Sequence, residues 1–284
     1  MSSPPIQWYP GHIAKAERSL LEQLKRVDVV LEVRDARIPL ATHHPQVNQW
    51  IEGKGRVLVL NRVDMVSSEM RQRWTKWFRS HGDEPYFTDA QHGKGIEAIS
   101  QAVQEAGAQV NARRRDRGML PRPIRAVVIG FPNVGKSALI NRLLKRRVVE
   151  SARRAGITRQ LRWVRISDQI ELLDAPGVLP NKLNDQDAAL KLAICDDIGE
   201  AAYDNQRVAA SLIDRLQSLQ TASSLQSRYG LALDDLTGES YIKNFAEQKI
   251  QGNRERAARQ ILNDFRKGAL GAIALELPPS SDDS

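Results

Sequence analysis

The sequence predicts an α/β protein in which a mostly parallel sheet of six strands is covered by helices on both faces and is followed by an all-helical C-terminal part. Three observations lead there. Short apolar, β-branched runs alternate with helically spaced segments up to about residue 180, the pattern of a parallel sheet. Beyond that point strand-like runs vanish, and alanines, leucines and charges at helical spacing take over. Between the two halves of the strand-rich part stands Gly130-Phe131-Pro132-Asn133-Val134-Gly135-Lys136-Ser137, a Gly-x-x-x-x-Gly-Lys-Ser turn between an apolar run and a helical segment.

Taken in order, Ile13, Ala16, Leu20, Leu21, Leu24 and Val27 share one helical face behind Trp8-Tyr9-Pro10-Gly11-His12. A strand follows at 29–33 and ends in Arg34-Asp35-Ala36-Arg37-Ile38-Pro39. A helix is expected over 44–52, a strand over 57–60 ending in Asn61-Arg62-Val63-Asp64, and a helix over 70–80 packed by Trp74, Trp77 and Phe78. A short strand at 85–88 leads into Asp89-Ala90-Gln91 and a Gly93-Lys94-Gly95 turn, then a helix at 96–106. The Arg-rich segment 107–123 lacks apolar periodicity and reads as an exposed connection. The strand 125–129 and the helix 137–144 flank the Gly-rich turn. A basic loop spans 146–158. Strands at 161–166 and 169–173, joined by a tight turn at Ser167-Asp168, form the one antiparallel pair, and Asp174-Ala175-Pro176-Gly177 closes the second. Helices are expected at 186–194, 205–219, 222–229 and, as one long element, 242–265. The expected division is 1–180, 181–278 and a disordered tail at 279–284.

Bulk properties narrow the class. There is no apolar run long enough to span a bilayer and no signal peptide, so the chain reads as cytoplasmic, without a membrane partner. The single cysteine, Cys195, excludes an intrachain disulfide and a Cys-rich zinc site. The formal net charge is +8, which favours polyanionic partners, nucleic acid above all. Basic clusters stand at Arg113-Arg114-Arg115, Lys145-Arg146-Arg147 and Arg153-Arg154.

The Gly-rich turn is the P-loop pattern, in the strand–loop–helix context that gives it meaning. Backbone N–H groups of Asn133, Val134, Gly135, Lys136, Ser137 and Ala138 at a helix N-terminus make a concave anion site. Lys136 is expected on the β- and γ-phosphates and the Ser137 hydroxyl on Mg²⁺. Asn61-Arg62-Val63-Asp64 matches Asn-Lys-x-Asp with Arg for Lys. The Asp64 carboxylate accepts the N1 and 2-amino protons of guanine, a donor edge adenine lacks; such sites discriminate by about four to five orders of magnitude. Arg62 is expected to lay its guanidinium plane over the base. Asp174-Ala175-Pro176-Gly177 is Asp-x-x-Gly: Asp174 is expected to hold Mg²⁺ through water and the Gly177 N–H to meet the γ-phosphate. Thr158 is the natural second Mg²⁺ ligand. Asp89 and Ala90 occupy the place of a Ser-Ala-Lys base loop, of which only a backbone N–H contact to guanine O6 carries over.

Base recognition therefore precedes the phosphate motifs along the chain, the reverse of Ras-like order. A parallel sheet tolerates this, because its ligand loops gather at one edge however the strands are threaded. With Trp-Tyr-Pro-Gly-His and Asp-Ala-Arg-Ile-Pro, the set resembles the circularly permuted GTPases, and more narrowly the YlqF/RbgA group of ribosome biogenesis GTPases. The resemblance runs through the helical part to Ile261-Leu262-Asn263-Asp264-Phe265-Arg266. It implies a circularly permuted P-loop GTPase fold with a helical RNA-binding domain. It also implies a monomer that couples GTP hydrolysis to GDP and phosphate with late maturation of the large ribosomal subunit, through contact with its rRNA. Two other readings stay open: an RNA-binding placeholder with negligible hydrolysis, and a permuted GTPase acting on another ribonucleoprotein.

The position after Asp-x-x-Gly, which often carries a water-orienting Gln, is Val178. Turnover of the isolated chain is therefore expected near that of unassisted Ras-type enzymes, about 10⁻⁴ to 10⁻³ s⁻¹. The resemblance points to His12 as the water-positioning residue, acting with Lys136, and to Asn133 as the ligand of a potassium ion. The helix expected over 242–265 carries Lys243, Lys249, Arg254, Arg256 and Arg259, a stripe for phosphate contact.

Overall fold

The computed structural model describes residues 18, 20–145, 162–174, 185–199 and 203–279. His12, Thr158, Gly177 and Val178 lie outside the described residues. So do the whole of the expected basic loop, all of the expected tail but Pro279, and the side chain of Asp174.

Strands β1 (Val29–Asp35), β2 (Gly55–Asn61), β3 (Pro85–Thr88), β4 (Ile124–Ile129), β5 (Arg162–Arg165) and β6 (Ile170–Asp174) form a six-stranded sheet in the order β3-β2-β1-β4-β6-β5. Every pairing is parallel except β5 with β6. The expected antiparallel pair is where the sequence placed it. The three strands that precede the P-loop strand in sequence lie on one side of it and the two that follow lie on the other. The chain order is permuted, but the sheet edge is that of an ordinary nucleotide-binding fold.

Both faces are buried, because each strand alternates its side chains between two apolar layers. Val29, Leu31 and Val33 of β1, with Val57, Val59, Ala126, Val128 and Leu172, pack on α3 (Ile96–Asp116) and α4 (Lys136–Leu143). Val30, Val127, Ile129 and Leu173 face Leu20, Leu24, Val47 and Trp50. Leu58 and Leu60 face Trp74 and Phe78 of α2 (Ser68–Ser80). The helix expected over 44–52 is only a single turn, α1 (Val47–Trp50).

The C-terminal helices are α5 (Gln186–Cys195), α6 (Asn205–Ser218), α7 (Ser223–Tyr229), α8 (Gly238–Lys249) and α9 (Arg254–Arg266). One apolar cluster runs from the sheet into them without a break, joining Val33 and Ile38 to Leu192, Ile213, Phe245 and Phe265. Among the described residues, no helix is long and apolar enough to cross a membrane.

Two expectations need correction. The long helix over 242–265 is two helices. Gly252 takes φ 78°, and the Asn253 side chain caps α9 by accepting from the Arg256 N–H, so the chain turns there. The apolar period survives the break, which is why spacing alone joined them; the basic stripe is thereby split between α8 and α9. The connection expected over 107–123 is helical through Asp116. Alanine and arginine are strong helix formers, and that propensity prevails where no apolar period exists.

Candidate nucleotide site

Parallel strands deliver their loops to one edge. Registers Asp35↔Asn61 and Asn61↔Thr88 align the ends of β1, β2 and β3, and Val128↔Asp174 brings the end of β6 beside the P-loop strand. Asp174 is thus the last residue of a strand next to the P-loop, as its motif requires.

The P-loop is fitted to its neighbours by two glycines. A Cβ on Gly130, at φ 150°, would stand 2.2 Å from the Val33 carbonyl oxygen, and one on Gly135, at φ 100°, 2.1 Å from Asn61 Nδ2. No side chain fits either position. Asn133 itself takes φ 58°. Lys136 opens α4 with only 7% of its surface exposed, and its Nζ donates to the carbonyls of Phe131 at 2.7 Å and Gly130 at 3.2 Å. The ammonium is folded back along the loop at the start of α4. Ser137 and Ala138 follow in the first turn of α4.

Asn61 joins three loops. Its Nδ2 donates to the Val134 carbonyl at 2.8 Å, while its Oδ1 accepts from Ala90 N–H at 3.0 Å and Thr88 Oγ1 at 3.2 Å. The Ala90 N–H expected to meet guanine O6 is therefore bonded within the protein in this structure. The Asp89 carboxylate is also turned inward: it accepts from His92 N–H at 3.0 Å and lies 2.6 Å from His92 Nδ1, shaping its own turn. Arg142 of α4 grips the same loop through the carbonyls of Ala90, at 3.1 Å, and Gln91. Asp64, in a short 3-10 turn, is exposed and has no partner among the described residues, so its two oxygens are open to a base.

Arg62 departs from expectation. With φ 64°, it sends its guanidinium to the P-loop and the end of α5. It donates to Asn133 O at 2.6 Å and Cys195 O at 3.3 Å, and lies 3.4 Å from Asp35 Oδ2 and 3.8 Å from Asp197 Oδ1. There its fork of donors is met by carbonyls and carboxylates. The Asn133 side chain points the same way, its Nδ2 donating to Asp196 O at 2.7 Å.

These contacts end at a buried joint that the motif reading did not interpret. Arg37 is fully buried and bidentate to Asp35, at 3.0 and 2.7 Å. It also donates to Cys195 O at 3.0 Å and stacks over Phe265, and its own carbonyl accepts from the N–H groups of Leu275 and Glu276. Burial alone would raise the Asp35 pKa, but Arg37 and Arg62 beside it hold it below the usual carboxylate value. Asp197 is as buried as Asp35, and neither of its oxygens accepts a hydrogen bond among the described residues. Burial first, then the charge of Asp35, pushes its pKa well up. Burial likewise raises the Cys195 thiol, which suits packing rather than reactivity. The signal for this joint was in the sequence as an Asp and an Arg two residues apart in an apolar stretch, but their partners lie far along the chain.

The chain is similar to known proteins in sequence and in fold. The profile of a family described as 50S ribosome-binding GTPase matches residues 125–229. Ribosome biogenesis GTPase A of Bacillus cereus is 34% identical over 282 residues, covering 96% of this chain and 94% of the relative. The protein of the same name from Priestia megaterium is 38% identical over 227 residues, 80% and 78% of the two chains. The crystal structure of GNP-bound YlqF from T. maritima superposes with a TM-score of 0.65 at 23% identity, covering 94% of this chain and 99% of that one.

Proposed function

The chain belongs to the ribosome biogenesis GTPase A (YlqF/RbgA) family and is a GTPase, and from that premise we propose that it hydrolyses GTP while bound to a precursor of the large ribosomal subunit and its rRNA. The observation that carries the nucleotide part is Asn61, whose single amide ties the P-loop carbonyl of Val134 to the base loop at Ala90. Phosphate-binding and base-reading segments, far apart in sequence, are thereby one site.

In this reading Lys136 neutralises charge on the β- and γ-phosphates, Val134, Gly135 and Ala138 supply backbone N–H groups, and Asp64 selects guanine. Hydroxyl and carboxylate oxygens at Ser137, Thr158 and Asp174 are the donor set of a hard cation, and these residues would hold Mg²⁺, which when bound offsets phosphate charge. Gly177 meets the γ-phosphate. The Asn133 amide nitrogen is spent on Asp196, which leaves its oxygen for a potassium ion. His12 orients water, since Val178 offers no hydrogen-bonding group. Residues 1–180 bind nucleotide and residues 181–278 bind RNA in a monomer working in the cytoplasm.

The experiment is phosphate release with and without purified large ribosomal subunits, for the wild type and His12→Ala. Stimulation of the wild type alone is expected. No stimulation of either protein would sink the ribosomal part, and equal stimulation of both would remove His12 from the mechanism.

A further inference from the structure

Helix α3 starts beside the nucleotide edge, after β3, and runs back under the sheet. It leaves the sheet at the opposite edge. There a Cβ on Gly107 would come within 2.4 Å of Ile124, the first residue of β4, and Gly55, the first residue of β2, faces Ala106 at 3.0 Å. Gly107 is the last buried residue of the helix, yet α3 continues to Asp116. The overhang is about 14 Å at 1.5 Å per residue. It is braced by the segment that returns from it to β4. The Asn111 side chain bonds the backbone of Arg122 in both directions, at 3.0 and 3.2 Å, and Arg114 holds the Leu120 carbonyl at 3.0 and 3.1 Å.

No residue of this arm is fully buried, so core packing does not account for it. It carries Arg113, Arg115 and Arg117, all exposed and without an ion-pair or hydrogen-bond partner among the described residues, against Asp116 as its one acid. Leu120 at its tip is 84% exposed and Met119 40%. Lys25 and Arg26, exposed and likewise unpaired, precede β1 at the same end of the sheet.

We propose that this arm is a second RNA-docking surface, at the end of the sheet opposite the nucleotide and separate from the C-terminal helices. The inference rests on the proposed RNA partner and names where the GTPase half would touch it. Unpaired guanidinium groups on a braced helix match the spacing and charge of a phosphate backbone. An apolar tip among them fits a groove whose walls are sugars and base faces.

The test compares the wild type with R113Q/R115Q/R117Q, which leaves the bracing Arg114 and Asn111 intact. Each is titrated across a range of salt against large ribosomal subunits, a 20-base-pair RNA duplex and anionic phospholipid vesicles. GDP affinity and Tm report folding. The triple variant is expected to bind both RNA targets about tenfold or more weaker, with a salt slope smaller by about 2 to 3, one counterion step per lost contact. Unchanged affinity and slope on both RNA targets overturn the inference, as does a loss confined to vesicles. Wild-type binding to the duplex but not to subunits would refute the ribosomal reading and leave the arm standing. Failure to bind either RNA refutes both.

Discussion

Asn61 Nδ2 lies 2.8 Å from the Val134 carbonyl and occupies the space that a side chain at position 135 would need. The base-reading strand and the P-loop are thus shaped against each other. Gly135→Ala would place a methyl 2.1 Å from that amide on backbone at φ 100°, so both the loop and Asn61 must move. GDP affinity, measured by titration calorimetry, is expected to fall by about a hundredfold or more, as when one preorganised set of anion donors is lost. Affinity within threefold of the wild type would show that the two loops are independent.

Asp64 is the exposed acceptor pair of the site. Asp64→Asn exchanges one acceptor for an amide donor, which mismatches the guanine edge and matches a base with a carbonyl in place of the 2-amino group. Guanosine nucleotides are expected to bind roughly 10²- to 10³-fold more weakly, and xanthosine nucleotides to gain, because unpaired buried donors cost that much. Competition of GTP against XTP reads the switch directly. Unaltered preference would place guanine recognition elsewhere.

The joint beneath the site makes a stability prediction. Arg37 is bidentate to Asp35 with both side chains fully buried. Arg37→Met leaves the Asp35 carboxylate with only Arg62 as a cation, and is expected to cost about 3–5 kcal/mol in urea unfolding, as for broken buried pairs. The double change Asp35→Leu with Arg37→Met is expected to recover much of that loss, since the penalty belongs to the uncompensated charge.

Asp197 works in the opposite sense. Its folded pKa is raised, so the folded chain holds a proton that the unfolded chain has released. Stability therefore falls as pH rises from the ordinary carboxylate range through the folded value. Asp197→Asn removes the linkage. Its Tm is expected to exceed the wild type's at pH 8, by about 2–4 °C per kcal/mol relieved, with the two converging near pH 4. A constant difference across that range would mean that Asp197 does not titrate.

The P-loop turn, the strand end at Asn61 and the antiparallel pair of β5 and β6 were legible because each is a local pattern: a short apolar run, a turn of set residue types, a strand end. The joint was not. Arg37 meets Cys195 O and Asn133 meets Asp196 O across long separations, and nothing in a short window marks such a pairing. The break between α8 and α9 was hidden for the opposite reason, since its apolar period continues across Gly252 and Asn253. The direction of the Arg62 guanidinium was not legible either, because its αL backbone and the carbonyls around it set that direction.

Arg62 also links the loop after β2 to the P-loop and to the end of α5. One guanidinium donates to Asn133 O in the P-loop and to Cys195 O at the end of α5, and stands 3.4 Å from the Asp35 carboxylate. Lysine, with a single ammonium, cannot span acceptors on three segments at once. In Arg62→Lys the last turn of α5 loses its tie to the loop after β2, keeping Arg37 and Asn133 as its links to the sheet edge. Amide exchange across 192–199 is expected to quicken about tenfold, which is about 1.4 kcal/mol of local opening free energy. If the tie transmits nucleotide occupancy, GDP slows exchange across 192–199 in the wild type and leaves it unchanged in the variant. Equal slowing in both proteins would mean that the helical part senses nucleotide by a route that bypasses Arg62.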